Sequence, residues 1–322
     1  MSITITGGIT FSYIGGVSII APLPTPTAGW FVGGNPIIST VQRITYATDT
    51  SASSVRGPLS QPLQTIGGAG TSDYGWFGGG LASAPTNEIS TVQRITYATD
   101  TDTPVARGAL SLARQRPAAT GNTTDGWWAG GYIQGSGPLS LIDRVTYATD
   151  TATASVRGPL NDSMYYVSGT GTITLVYGWY YGGRHNIPIP AINTSRVQRI
   201  TYATDTSTAS IRGPLSQQTV GAGSTGNTTD AWISTGTGAA STVERITFAT
   251  DTATASVRGP LTAVSYKVSA TGSDTYGYFA GLANTSRSTV NRITFANDTV
   301  TATSVGALTM GAQSMGATTG VQ

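Results

Sequence analysis

A chain of 322 residues with 42 glycines, 10% charged residues and no cysteine excludes disulfides, thiolate metal sites and cysteine nucleophiles. Its 17 basic and 15 acidic residues leave a formal charge of +2 without a basic run, so the electrostatic footprint of nucleic-acid binding is missing. No apolar run approaches the roughly 18 residues of a membrane-spanning helix, and glycine keeps no three-residue period.

Residues 1–27 match nothing later in the chain. The alternation at residues 3–5 and 9–13 reads as short strand, and Pro22, Pro24 and Pro26 read as an extended linker. There is no positively charged region followed by an apolar core of signal-peptide type, so synthesis in a cytoplasm is expected. Apolar, β-prone residues outside a core usually have a partner. Residues 1–27 are therefore expected to be an attachment segment to a larger assembly, the plainer alternative being a tail packed on the main body.

From residue 28 onward the chain repeats. Ser39-Thr-Val-Gln-Arg-Ile-Thr-Tyr-Ala-Thr-Asp-Thr50 returns almost unaltered at residues 90–101, and with drift around Arg144, Arg199, Arg245 and Arg292. The recurring arginines Arg43, Arg94, Arg144, Arg199, Arg245 and Arg292 lie 51, 50, 55, 46 and 47 residues apart. The second unit shows four strand-like pieces: Gln64-Thr-Ile-Gly-Gly-Ala-Gly70, Tyr74-Gly-Trp-Phe-Gly-Gly-Gly80, Ser90-Thr-Val-Gln-Arg-Ile-Thr-Tyr97 and Thr103-Pro-Val-Ala-Arg-Gly-Ala-Leu110. Four short strands in roughly 40–50 residues is the period of a β-propeller blade. No segment sustains a 3.6-residue apolar pattern, so almost no helix is expected. Residues 28–322 are predicted to form an all-β, six-bladed propeller of four-stranded blades.

The register of the repeats predicts how the ring closes. The first aromatic strand has no small-residue strand before it, and Ala312-Gln-Ser-Met-Gly-Ala-Thr-Thr-Gly320 has no aromatic strand after it. The C-terminal strand is expected to pair with Gly29-Trp-Phe-Val-Gly-Gly34, so that two sheet edges disappear into one another. The Gly, Ala, Ser and Thr of the first strands suit a narrow central channel. The glycine pairs at 33–34, 79–80, 130–131 and 182–183 suit a sharp turn, and Trp and Tyr supply area for packing blade on blade.

The six repeated arginines are expected to be structural, with the following turn of the blade (Asp49, Asp100, Asp150, Asp205, Asp251, Asp298) as a candidate partner. A second series, Arg56, Arg107, Arg157, Arg212 and Arg258, sits on the fourth strand, with Gly306 in the sixth repeat. Chemistry is sparse. The single histidine, His185, has no nucleophile-elbow pattern near it, and a metal site built on several histidines is impossible. The acids outside the repeats are scattered, so no acid/base pair can be nominated. No helix follows the glycine-rich stretches to form a phosphate loop. No enzymatic activity, cofactor or metal is expected.

Variation is concentrated in two sets of loops: those between second and third strands, and the connections from fourth to next first strand, including Asn161-Asp-Ser-Met-Tyr-Tyr and Ser265-Tyr-Lys. In a propeller both sets share one face, and function is usually carried on loops over a rigid scaffold. The longest loop runs over residues 184–195, and Tyr132-Ile-Gln134 opens another. The candidate binding residues are Tyr132, Gln134, Arg184, His185 and Asn186, against neutral loop drift.

The run of Trp/Tyr-Phe-Gly-Gly, Ser-Thr-Val-x-Arg-Ile-Thr-Tyr-Ala-Thr-Asp-Thr and Ser-Val-Arg-Gly-Pro-Leu over residues 29–322 resembles kelch-like repeats in virion structural proteins of bacteriophages, notably those of marine cyanobacteria. It departs from the kelch pattern in that the principal Trp precedes the glycine pair and Val-Arg-Gly-Pro-Leu occupies the last strand. The resemblance implies a non-enzymatic tail, fibre or capsid-surface component, made in the host cytoplasm and located in the virion. It would join other virion proteins through residues 1–27 and contact a host-surface glycan or protein. Galactose-oxidase-like propellers are also kelch-like, but their copper site needs Cys, Tyr and two His, which a chain with no cysteine and one histidine cannot provide. The alternative reading is a soluble carbohydrate-binding propeller, with Tyr132, Tyr180 and Tyr181 stacking on sugars.

Overall fold

The computed structural model describes residues 24–170, 176–185, 192–236, 240–264, 266–282 and 287–320, and the backbone of 2–5 and 9–12. Ser2–Ile5 and Ile9–Ser12 form an antiparallel pair. The rest is a six-bladed β-propeller of four-stranded antiparallel sheets. Within blades 2 to 6 the strands lie in chain order. In blade 2 these are Gly67–Gly70, Tyr74–Gly78, Thr91–Thr96 and Val105–Ala109. Blade 1 is completed by Gly316–Gly320, which pairs with Ala28–Val32 in the register Trp30↔Thr318, as the shifted repeat predicts.

Each aromatic strand is the second of its sheet, with a neighbouring blade against each face, so it is buried almost throughout; Ala28–Val32 is buried at every position. The register is the same in all six blades, with Trp30, Trp76, Trp127, Trp179, Trp232 and Tyr278 opposite Arg43, Arg94, Arg144, Arg199, Arg245 and Arg292. The only helical elements among the described residues are six single 3-10 turns, one after each third strand, beginning at Tyr46, Tyr97, Tyr147, Tyr202, Phe248 and Phe295. None is long and apolar enough to cross a membrane. The first strands surround a central channel of about 870 Å³, whose lining is chiefly Gly, Ala, Ser and Thr.

The repeated residues form a latch between blades, which corrects the expected pairing. The arginines bind the turn aspartate of the next blade. Asp100 accepts from Trp30 Nε1 at 2.9 Å and from Arg43 Nη1 at 3.0 Å, with Arg56 Nε at 3.4 Å, all in blade 1. Asp150, Asp205, Asp251 and Asp298 are held likewise by the blade before each. The ring closes when Tyr278 Oη and Arg292 Nη1 of blade 6 donate to Asp49 of blade 1 at 2.8 and 2.7 Å. The six aspartates are only 4–7% exposed, so each buried charge depends on these partners.

The aromatic ring of five of the 3-10 turns stacks on the Trp of the preceding blade, as in Trp30 on Tyr97 and Trp76 on Tyr147, both with centroids 3.8 Å apart, and Tyr46 stacks on Tyr278 at 4.7 Å. Such pairs add about 0.5–1.5 kcal/mol beyond their burial. The glycine after the fourth-strand arginine lets the backbones of adjacent blades approach: a Cβ on Gly108 would stand 1.8 Å from the Ala152 carbonyl oxygen of the next blade. Gly306 occupies that same position, since its N–H donates to the Asp49 carbonyl as Gly57 N–H does to Asp100. The residue in the arginine place of the sixth blade is therefore Val305, not Gly306. It packs into the cluster around Phe31 and Tyr278.

A second latch lies nearer the opposite face. Gln42, Gln93, Asp143, Gln198, Glu244 and Asn291 occupy one equivalent, fully buried position on the third strand. Each accepts from the backbone N–H that follows the last strand of the preceding blade, those of Met310, Ser60, Ser111, Asn161, Ser216 and Thr262. Asp143 and Glu244, scattered acids in the sequence, are thus members of a symmetric set. The Arg114 guanidinium, itself fully buried, neutralises Asp143 at 2.7 Å. Glu244 has no carboxylate-pairing cation among the described residues, and burial pushes its carboxyl above the usual range despite the Ser216 N–H. A raised carboxyl contributes stability below its unfolded value that is lost as pH rises through the folded value. Glu244→Gln is therefore expected to raise the Tm at neutral pH by roughly 2 °C, with the advantage vanishing in acid. Parallel Tm–pH curves for the two proteins would refute this.

Candidate functional site

The propeller has two faces of different character. One carries the turns between first and second and between third and fourth strands. Both ends of the propeller domain reach it, since Thr27 N–H donates to the Gly320 carbonyl and Tyr46 N–H to the Thr27 carbonyl, each at 2.9 Å. Pro24 and Pro26 lie there at the channel mouth. The other face carries both variable loop sets, stitched together by bridges such as Gln64↔Leu81, Gln115↔Tyr132 and Tyr165↔Arg184. The expectation that these loops share a face is met.

Cations distinguish the two faces. Thirteen of the 17 basic residues pair with a carboxylate among the described residues. Arg287 donates to the Asn35 carbonyl at 3.5 Å. Arg116, Arg184 and Lys267 have no carboxylate within ion-pair distance among the described residues, which include every Asp and Glu of the chain. All three lie on the variable face, and tyrosines gather around them. The Arg116 guanidinium stands 4.4 Å from the Tyr166 ring, 5.6 Å from Tyr165 and 5.7 Å from Tyr132. Lys267 Nζ stands 5.0 Å from the Tyr266 ring and 5.5 Å from Tyr166. The Tyr132 and Tyr165 rings are 4.9 Å apart.

The backbone under this cluster explains its convergence. Thr65, Arg116, Tyr166, Gly221, Lys267 and Ser314 hold six equivalent positions where each connection turns into its first strand at the axis. All six are left-handed, with φ between 54° and 64°. Backbone hydrogen bonds link them in two arcs: Arg116 N–H donates to Thr65 O at 2.9 Å, Thr65 N–H to Ser314 O at 2.7 Å and Ser314 N–H to Lys267 O at 2.8 Å, while Gly221 N–H donates to Tyr166 O at 3.1 Å. Only one of the six is glycine, although such a conformation costs a residue with a Cβ about 1–2 kcal/mol. Beside the ring is a cavity of about 80 Å³, lined by Arg116, Lys267, Tyr166, Thr65, Gly221 and Ser314 among others.

Burial raises the Tyr165 and Tyr166 phenols, opposed by the neighbouring Arg184 and Arg116 charges. Both therefore stay protonated donors at neutral pH. Glu88 is committed elsewhere: burial opposes its ionisation, but hydrogen bonds including those from the Gln134 N–H and the Gln115 amide hold its carboxyl below the usual range.

Of the candidate residues, Tyr132 and Arg184 belong to this neighbourhood. Gln134 is exposed beside Glu88. His185 pairs with Ile192 in a short hairpin beyond Arg184. Asn186 lies outside the described residues. The proposed sugar-stacking role of Tyr180 and Tyr181 is overturned, because both rings are 0–1% exposed in the second strand of blade 4. Sequence reasoning missed Arg116, Tyr165, Tyr166 and Lys267 as site residues. Their signal is a break in symmetry: large side chains, including the only lysine, immediately before small-residue strands. No group of three or more His, Cys, Asp or Glu that could hold a metal occurs among the described residues.

Comparison of the chain with known protein families gives no match, and comparison with curated proteins gives no significantly similar sequence.

Proposed function

We propose that this propeller is a non-enzymatic display module of a bacteriophage particle, joined to other virion proteins through residues 1–27 and turning its variable face to the host surface. The observation that carries this reading is polarity. The symmetric interior commits most of the ionic groups to holding blades together, while the carboxylate-free cations and the tyrosine cluster gather on one face. The chain enters the propeller on the opposite face. The kelch-like resemblance supplies the particle context. Particles assembled with a protein lacking residues 1–23 are expected to lack the propeller, and incorporation at the normal copy number would defeat the proposal. The deletion spares Thr27, whose backbone bonds tie blade 1 together.

A carbohydrate-binding propeller is the second reading, favoured by the partly exposed Tyr132 beside Tyr165 and Tyr166. Glycan-array binding that is lost on changing the 132–141 and 184–195 loops, and kept on removing residues 1–23, would favour it.

A further inference from the structure

We propose that the variable face holds an oxyanion site on the propeller axis, taking a carboxylate, sulfate or phosphate group carried by a surface sugar, between Arg116 and Lys267. The proposal deepens the reading of this face as a contact surface by naming the chemistry it would recognise.

Three independent observations meet at this point. The first is charge. Arg116 and Lys267 flank one small cavity, both reach the Tyr166 ring, and neither has a carboxylate partner among the described residues. Elsewhere in this protein nearly every arginine is neutralised by an aspartate. Two like charges held together without a counter-ion form an incomplete arrangement that an anion completes.

The second is shape. The six ring positions divide into three large residues, Arg116, Tyr166 and Lys267, and three small ones, Thr65, Gly221 and Ser314. The small ones leave the cavity of about 80 Å³. That space suits one oxyanion group and not a whole sugar ring. The ring itself would remain outside, where Tyr132 offers an aromatic surface. Ser314 lines the same cavity and brings a hydroxyl donor that a neutral apolar ligand would not use, whereas the Thr65 hydroxyl already donates to the Gln64 carbonyl at 2.7 Å.

The third is backbone. Arg116, Tyr166 and Lys267 are held at φ 59°, 56° and 59°, where glycine would be less costly and where Gly221 shows that glycine is compatible. Left-handed strain at residues with large polar side chains is a recurring mark of binding sites. The two hydrogen-bonded arcs beneath, through Arg116 to Lys267 and through Gly221 to Tyr166, hold their backbone and preorganise the site.

The test is calorimetric titration of the full-length protein with inorganic sulfate, inorganic phosphate, glucuronate and, as a neutral control, glucose, at matched ionic strength. At least one oxyanion is expected to bind saturably and glucose not to bind. The preferred anion identifies whether the natural group is a sulfate, a phosphate or a sugar carboxylate. Arg116→Ala and Lys267→Ala are each expected to weaken binding by about tenfold or more. Ser314→Asp places a carboxylate on the ring, in a backbone conformation that Asp tolerates. It should leave the protein folded and abolish oxyanion binding, so the test survives if either alanine variant fails to fold. Absence of saturable binding by the native protein, or binding unchanged in Ser314→Asp, overturns the proposal. The display reading is judged separately, by the incorporation of protein lacking residues 1–23.

Discussion

Removing residues 311–322 is expected to lower the Tm by roughly 8 °C and to make the protein aggregate on heating. The deletion takes the innermost strand from blade 1 and, with it, the five ladder pairs between Gly316–Gly320 and Ala28–Val32. It also removes buried Ala312 and Met315. Thr318 and Thr319 leave with the strand, although Tyr97 Oη donates to Thr318 at 2.8 Å and Tyr46 Oη shares a hydrogen bond with Thr319 at 3.1 Å. At about 0.5–1.5 kcal/mol per hydrogen bond and about 1.5–3 kcal/mol per large buried side chain, the loss is on the order of 5 kcal/mol. A stability of roughly 5–15 kcal/mol does not absorb that easily. The fully buried strand carrying Trp30 and Phe31 would become an open edge, a template for pairing with another chain. Calorimetry and light scattering read the two effects. An unchanged melting curve would mean that the ring does not depend on this closure.

Asp150→Ala is the second change with a large expected effect, about 3–5 kcal/mol of destabilisation. It leaves the Trp76 indole N–H, bonded at 2.8 Å, and the Arg94 guanidinium, bonded at 3.0 Å, without their acceptor, and Arg107 Nε without the carboxylate at 3.4 Å. Asp49→Ala is expected to cost about half as much, because Asp49 faces one arginine and a Tyr hydroxyl and Val305 replaces the second cation. A double-mutant cycle separates the pairing between blades from pairing within a blade. Arg94 and Asp150 should couple by about 1–3 kcal/mol, and Arg94 and Asp100 by nearly nothing. The reverse result, read from chemical or thermal unfolding, would refute the latch between blades.

Much of the architecture is legible in the repeats. The alternation around Arg43 and its equivalents, the Trp before a glycine pair and the displaced last strand each report local requirements: strand period, turn conformation and the number of sheet edges. The partners of Arg43 and Arg94 are not legible in the same way. An arginine six residues before an aspartate in every repeat suggests a contact within the repeat. The choice of the next blade's aspartate depends on how far each blade is rotated about the axis, and no single repeat contains that information. The same limit hid the exchange of Val305 for an arginine, since only the hydrogen bond from Gly306 N–H to the Asp49 carbonyl fixes the alignment there.

The candidate site lies at the far end of that limit. Tyr132 and Arg184 stand out as departures from a repeated pattern, and the two loop sets can be placed on one face from topology alone. Arg116, Tyr166 and Lys267 lie in three different blades, 50 and 101 residues apart along the chain. They meet only because the ring brings every first strand to the axis in the same register. Sequence by itself determined the number of blades, the strand that closes them and the loops left free to vary, because each of these follows from periodicity. Tertiary structure alone decided which charges neutralise one another and which remain. Neutralisation depends on distances across blades, and those are set by ring closure.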